Sequence, residues 1–315
     1  MSTVHRHKNA ASVTSLRSDD PERDVVRKRI AALRLHPEIG QVSRQMASSL
    51  VRRYEGNRIA NRVLNDRARA IFAIMVLYLH TNPDASGTRL TAGRIIGLCQ
   101  ETGMCSRGRA KAMLLLMRWA GYIEPTPDLP SDADRRQRPL SPTQALLDDY
   151  TARWSDVFAS IALVDEIGVQ ALARVEEPEF RAGLSEALMR RFRAGWRVLD
   201  FTPPLELFAA RDCGFVMLLA LTLSAPEGSP FPPSGPLKIP VAALGRRFHV
   251  SRAHVLKMLR DAEAEGLLRR VSDGDGATVE LQAPVRSALT DFFCAIFLLF
   301  GDAGREALAR MTPKS

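Results

Sequence analysis

Two stretches of the chain decide the fold: SRGRAKAMLLLMRWAGYI at residues 106–123 and SRAHVLKMLRDAEAEGLL at residues 251–268. Both begin with Ser-Arg, continue with apolar residues at helical spacing, and end on a glycine that precedes a short apolar run. Serine is a favoured residue at the start of a helix and glycine is a favoured residue at its end. Each stretch therefore predicts one helix followed by the beginning of a strand.

The two stretches belong to a longer repeat with an offset of 145 residues. The offset pairs identical residues: Ser106 with Ser251, Arg107 with Arg252, Met113 with Met258, Leu114 with Leu259, and Gly121 with Gly266. A shorter helix is predicted before each stretch, and a hairpin and a trailing helix after it. Because the order of the elements repeats together with the residues, we interpret the chain as an internal duplication.

The predicted fold class is mainly α with small β-hairpins. The last long helix is predicted from Pro284 to Phe300. The pattern divides the chain into a polar, disordered tail at 1–20, N-terminal helices at 21–65, a first unit with its trailing helix at 66–165, linker helices at 166–209, and a second unit with its trailing helix at 210–315.

A short helix, a tight turn, a longer helix beginning Ser-Arg, and then a glycine and a hairpin resemble the winged helix-turn-helix transcriptional regulators of bacteria, and among them the MarR group. The resemblance covers residues 66–165 and 210–300. MarR-like chains carry one winged helix and pair as homodimers, whereas this chain is predicted to carry two in tandem. The resemblance therefore implies an internal pseudo-dimer joined and flanked by long helices, and leaves open whether the chain is a monomer or a homodimer.

The charge is distributed unevenly along the chain. Lys and Arg number 44 against 35 Asp and Glu, and residues 1–150 hold 24 of these bases against 15 of the acids. The remaining residues hold 20 of each, so the whole excess of positive charge lies in the first half. Such asymmetry favours a polyanionic partner for the N-terminal half. The alternative is a solvated surface rich in arginine, since 38 of the 44 bases are Arg.

The resemblance implies that the second helix of each unit enters the major groove of double-stranded DNA, where its first residues reach base edges. We therefore expect DNA contacts from Ser106, Arg107, Arg109 and Lys111 in the first unit and from Ser251, Arg252, His254 and Lys257 in the second. Arg135, Arg136 and Arg138 lie in an irregular loop that is expected to act as a basic wing on phosphates or in the minor groove.

The second unit is expected to be the poorer partner for DNA. Leu256 occupies the position that Lys111 has in the first unit, and the hairpin turn carries Asp273 and Asp275, whose charges repel phosphate. The sequence thus predicts a sequence-specific, DNA-binding transcriptional regulator that reads DNA mainly with its first half. Two alternatives stay open: a plasmid-type replication initiator with tandem winged helices, and a winged-helix module that binds a protein and little DNA. Whether a small-molecule effector is a further partner also stays open.

Catalytic motifs are missing from the sequence. It has no glycine-rich phosphate loop, no Gly-x-Ser-x-Gly turn and no His-Glu-x-x-His helix, so neither an enzyme nor a cofactor is expected. The four cysteines form no Cys-x-x-Cys pair, which argues against a zinc ribbon and a disulfide framework, and no metal is expected. Cys105 aligns with Val250 and is interpreted as a core residue rather than a redox sensor.

The chain is expected to be cytoplasmic. Its first thirty residues contain no apolar segment of the kind a secretory signal needs. The longest apolar runs, Ile71 to Leu79 and Phe292 to Phe300, are much shorter than the ~20 residues of a membrane span. Both runs are expected to form core helices.

Overall fold

The backbone is mainly helical and carries small antiparallel sheets, which confirms the predicted fold class. The computed structural model describes residues 21–55, 67–126, 138–273 and 276–311. The predicted tail at 1–20 lies outside the described residues, as do Arg135, Arg136 and Asp275.

Within the described residues, two helices precede the repeated units. Helix α1 (Pro21–Leu33) begins with proline, which suits the first turn of a helix. Helix α2 (Ile39–Tyr54) ends where Glu55 takes extended backbone angles, φ −72° and ψ 123°. The sequence predicts a helix over 38–65 with an interruption at Gly56–Asn57; α2 is its first part, and residues 56–66 lie outside the described residues.

The first unit runs from α3 to β2. Its elements are α3 (Arg67–Thr81), α4 (Ala92–Glu101), α5 (Arg107–Trp119), β1 (Ile123–Pro125) and β2 (Leu140–Pro142). Strands β1 and β2 pair antiparallel, with Ile123 opposite Pro142. Thr91, directly before α4, forms an isolated bridge to Pro139, directly before β2. The segment before the helix pair is therefore joined to the second strand of the hairpin.

Linking helices lead from the first unit to the second. They are α6 (Gln144–Ile161), α7 (Glu166–Leu172), α8 (Pro178–Arg193), two short 3-10 turns (Val198–Phe201 and Pro203–Leu205) and α9 (Glu206–Ala209). Helix α6 packs on α2 and α7, and α8 packs on α3.

The second unit runs from α10 to β5. Its elements are α10 (Gly214–Thr222), β3 (Leu237–Lys238), α11 (Val241–Phe248), α12 (Arg252–Ala264), β4 (Leu268–Asp273) and β5 (Gly276–Leu281). Strand β5 lies between β3 and β4 and runs antiparallel to both. The two units share one order of elements: a helix, a strand or bridge, two helices, and a hairpin whose second strand adjoins that strand or bridge.

The two long helices of the units end in the same way. Gly121 and Gly266 have φ angles of +75° and +68°, a conformation that glycine adopts without strain. The next amide, of Tyr122 or Leu267, donates back to the carbonyl of Met117 or Ala262 at 2.9 Å. Both ends are therefore Schellman caps, and the positions of their residues keep the offset of the repeat.

Helix α13 (Ala283–Met311) runs through the centre of the molecule and contacts α1, α2, α6, α7 and α8. The sequence predicts that it ends at Phe300. The structure extends it to Met311, since the glycines and alanines of this last part allow close packing: a Cβ atom on Gly304 would lie 3.1 Å from the Phe158 ring. These small residues serve packing rather than termination.

Among the described helices, α13 alone has the length and apolar composition that could cross a bilayer, contrary to the expectation from its nine-residue apolar run. The core helix of a folded domain passes the same test. Its buried side chains, Leu289, Phe293 and Phe297 among them, belong to one hydrophobic core that includes residues of both units.

Candidate nucleic-acid interface

Helix α5 begins on a serine cap that fixes the direction of its first turn. Ser106 has extended backbone angles, and its side chain accepts a hydrogen bond from the amide of Arg109 at 3.4 Å. Ala110 and Met113 are buried, whereas Arg107, Arg109 and Lys111 are exposed. These three cations therefore point away from the core, as the expectation that they contact DNA requires.

The exposed side of α5 is positively charged along its length. The helix contains no Asp or Glu, and its cations run from Arg107 to Arg118. In the part of the chain that the structure describes, Arg107, Lys111 and Arg118 form no ion pair. Within the described residues, their charges are therefore not neutralised by an acid, and anions can approach them.

An apolar stripe lies between the cations of α5. At about 100° per residue, the helix places a line of small and apolar residues opposite its buried face. The stripe consists of Gly108, Ala112, Leu115 and Trp119. Leu115 is 64% exposed and Trp119 is 67% exposed, although large apolar side chains usually lie inside. We refer to these four residues as the α5 stripe.

Of the three arginines predicted for the wing of the first unit, Arg138 lies within the described residues. It is half-buried and comes two residues before β2, at the base of the β1–β2 hairpin. Thr126 and Ser141 join the two sides of the hairpin by a hydroxyl contact of 2.9 Å. The fixed base of the hairpin thus brings the end of the predicted basic loop, at Arg138, next to the helix pair.

Helix α12 of the second unit repeats the serine cap but not the charge pattern. Ser251 accepts a hydrogen bond from the amide of His254 at 3.1 Å, and Arg252 is exposed. The half-buried His254 ring donates from Nε2 to the carbonyl oxygen of Asp212 at 3.0 Å. His254 is therefore held by the segment that precedes α10.

Lys257 is also engaged within the protein. Its Nζ atom donates to Asp261 Oδ2 at 2.8 Å, and Arg211 donates to the same oxygen at 2.6 Å. These hydrogen bonds, that of Lys257 first, hold the pKa of Asp261 below its usual value. Two of the side chains predicted to reach DNA from the second unit, His254 and Lys257, thus contact protein groups in the structure.

Two cations of the β4–β5 hairpin form ion pairs within the protein as well. Arg269 pairs with Glu280 on the opposite strand at 2.5 Å, and Arg270 donates from Nε to Glu263 on α12 at 2.6 Å. The bond from Arg270 lowers the pKa of Glu263. The hairpin of the second unit therefore presents a weaker positive field to an anion than the count of its arginines suggests.

The cysteines lie mainly in the core. Cys99 is fully buried, and burial together with the neighbouring Cys105 thiol raises its pKa far above the usual range. Cys105 is half-buried and packs against the core, as its alignment with Val250 predicts. The described residues contain no cluster of His, Cys, Asp and Glu that could hold a metal ion.

Sequence reasoning missed two features of this surface. The Lys257 and Asp261 pair could have been found, because oppositely charged residues four positions apart on a helix are neighbours. The α5 stripe could also have been found, by placing the whole of α5 on a helical wheel rather than its first turn alone. Comparison with models of known protein families, with curated proteins and with solved structures finds no match to this chain.

Proposed function

We propose that this chain is a sequence-specific regulator of transcription that binds double-stranded DNA in the cytoplasm and inserts α5 into the major groove. The observation that carries the proposal is the charge of α5: a capped, exposed helix with cations along its length, no acid, and no ion pair from Arg107, Lys111 or Arg118 among the described residues. An α-helix of this kind fits the major groove and reads base edges there.

The order of elements supports the same proposal. A helix, a strand, two helices and a hairpin, in which the first strand joins the hairpin, is the layout of a winged helix-turn-helix. We assign this fold to both units, in tandem, with the MarR-like regulators as the model. The proposal includes an internal pseudo-dimer, in which an approximate two-fold axis relates the units.

The two units have different tasks in this proposal. Helix α5 reads sequence, and the loop that ends at Arg138 contacts phosphates. In α12, Lys257 is bound to Asp261 and His254 to the carbonyl of Asp212, so the second unit contributes less to DNA binding. Arg252 keeps an exposed side chain there and is the natural site for a matched control.

The proposal is tested by binding to duplex DNA across a range of salt concentrations. Affinity should fall steeply, with a log-log slope of about −0.9 for each phosphate that the protein neutralises. Arg107→Ala should relax the preference for a selected duplex over a random one by ~1 to 3 kcal/mol, the worth of a bidentate contact between Arg and guanine.

Two further variants separate the roles of the cations. Arg138→Ala should lower affinity for all duplexes alike and reduce the salt slope by about one. Arg252→Ala should have the smaller effect on specificity. Affinity that does not change with salt would rule out the proposed function, and specificity that depends on Arg252 but not on Arg107 would assign the reading to α12.

A further inference from the structure

The α5 stripe is not explained by electrostatic binding to DNA. Phosphates attract the cations on the flanks of the helix, but Leu115 and Trp119 offer no charge and no fit to an anion. Both project from the face of the helix that lies opposite the core, with about two thirds of each side chain exposed. A surface of this kind marks a site of contact with an apolar group.

The charges on either side of the stripe decide what that contact is. Lys111 and Arg118 lie along one edge of the stripe, and α5 contains no acid that could attract a basic or neutral protein surface. The partner must therefore present an apolar group inside a strongly negative surface. The major groove of DNA offers this combination, because the 5-methyl group of thymine projects into it between two rows of phosphates.

We propose that Leu115 and Trp119 read the 5-methyl groups of thymine, an inference that rests on the proposed function. The first turn of α5 then reads guanine through arginine, and the second half of the same helix reads thymine through apolar contact. Leu115 lies eight residues beyond Arg107, or about 12 Å along the helix at ~1.5 Å per residue. At ~3.4 Å per base pair, the thymines lie about three to five base pairs from the guanine.

The second unit lacks this stripe. At the offset of the repeat, Arg260 stands where Leu115 does and Ala264 where Trp119 does. The methyl-reading surface therefore belongs to the first unit, where it lies on the same helix as Arg107, Lys111 and Arg118.

The test removes the methyl group alone. The full-length protein first selects a tight-binding duplex from a pool of random sequence. That duplex is then synthesised with deoxyuridine in place of thymidine at one position at a time, which keeps base pairing intact. Affinity should fall about fourfold at one or two positions, the factor that corresponds to burial of one methyl-sized group. Leu115→Ala and Trp119→Ala should each lose the penalty for deoxyuridine at the position that the replaced side chain reads.

A matched control is Val169→Ala, which truncates an apolar side chain that is 58% exposed on α7 and should keep the full penalty for deoxyuridine. All these positions are exposed, so the variants should remain folded. Binding that is specific and salt-dependent but indifferent to deoxyuridine at every position would overturn this inference and leave the proposed function standing. A failure to bind any duplex would overturn both.

The alternative partner of the α5 stripe is a second copy of the chain. Sedimentation of the protein without DNA should give the same mass for the wild type and for Trp119→Ala. If the wild type self-associates and Trp119→Ala does not, the stripe is an interface between two copies, and the assignment to thymine is wrong.

Discussion

His80 gives the folded protein a dependence on pH. It lies near the end of α3, where partial burial, followed by the positive charge of Arg89, lowers the pKa of its imidazole below the ordinary 6.5. The unfolded chain then binds a proton more readily than the folded chain does. The contribution of His80 to stability is therefore fully present above pH 6.5 and declines as the pH falls below that value.

The expected outcome is a lower urea midpoint for the wild type at pH 5.5 than at pH 7.5, with a smaller difference for His80→Gln. Glutamine keeps a polar side chain but does not titrate in this range. An equal pH dependence for the two proteins would show that other groups are responsible and that His80 binds its proton equally well in both states.

The carboxylate of Asp261 neutralises part of the positive charge on and next to α12. Asp261 accepts hydrogen bonds from Lys257 and Arg211, so Asp261→Asn should release both cations toward DNA. Affinity for a random duplex should rise, and the salt slope should become steeper by up to about 0.9 for each cation that meets a phosphate.

Removal of any acid makes the protein more positive, so the matched control is Asp148→Asn. Asp148 is an exposed acid on α6 that accepts a hydrogen bond from Gln144, and its replacement changes the net charge by the same amount. If the two variants bind the random duplex alike, net charge rather than the contact with Lys257 accounts for the effect.

Most elements were predictable, because their signals are local. The serine caps, the stopping glycines and the apolar spacing locate α5 and α12 to within a residue or two. The end of α13 was not predictable from the same rules, because Gly304 stops no helix when an aromatic ring packs against it. A glycine in a sequence does not reveal whether it serves a turn or a close contact.

In the candidate site, the direction of side chains on one helix was predictable, whereas contacts between elements were not. The outward direction of Arg107 and Lys111 follows from helical periodicity alone. The bond from His254 to the carbonyl of Asp212 does not, since it joins residues 42 positions apart through the backbone of another element. Contacts of this kind depend on how helices pack, and periodicity contains no information about them.

The packing of α8 against α13 holds the linking helices to the central helix. A Cβ atom on Gly183 would lie 3.1 Å from the Cα atom of Ala307, so the two backbones approach closely. Gly183→Val should therefore lower the free energy of unfolding by ~1 to 3 kcal/mol, the usual cost of overpacking a core. Urea denaturation monitored by circular dichroism measures the change.

Gly97→Val supplies the comparison, because Gly97 also lies inside a helix but has open space around it. Its replacement should change stability by no more than about 0.5 kcal/mol, as surface substitutions generally do. Equal losses for the two variants would indicate that valine disturbs helices here in general, and that the contact between α8 and α13 is not specially close.

The many contacts of α13 have a consequence for folding during synthesis on the ribosome. The helix that α1, α2, α6, α7 and α8 all contact is the last one to be synthesised among the described elements. Translation proceeds from the N-terminus at ~5 to 20 residues per second, so the partners of α13 emerge many seconds before it. We expect their apolar faces to be accessible to chaperones and to other nascent chains during that interval.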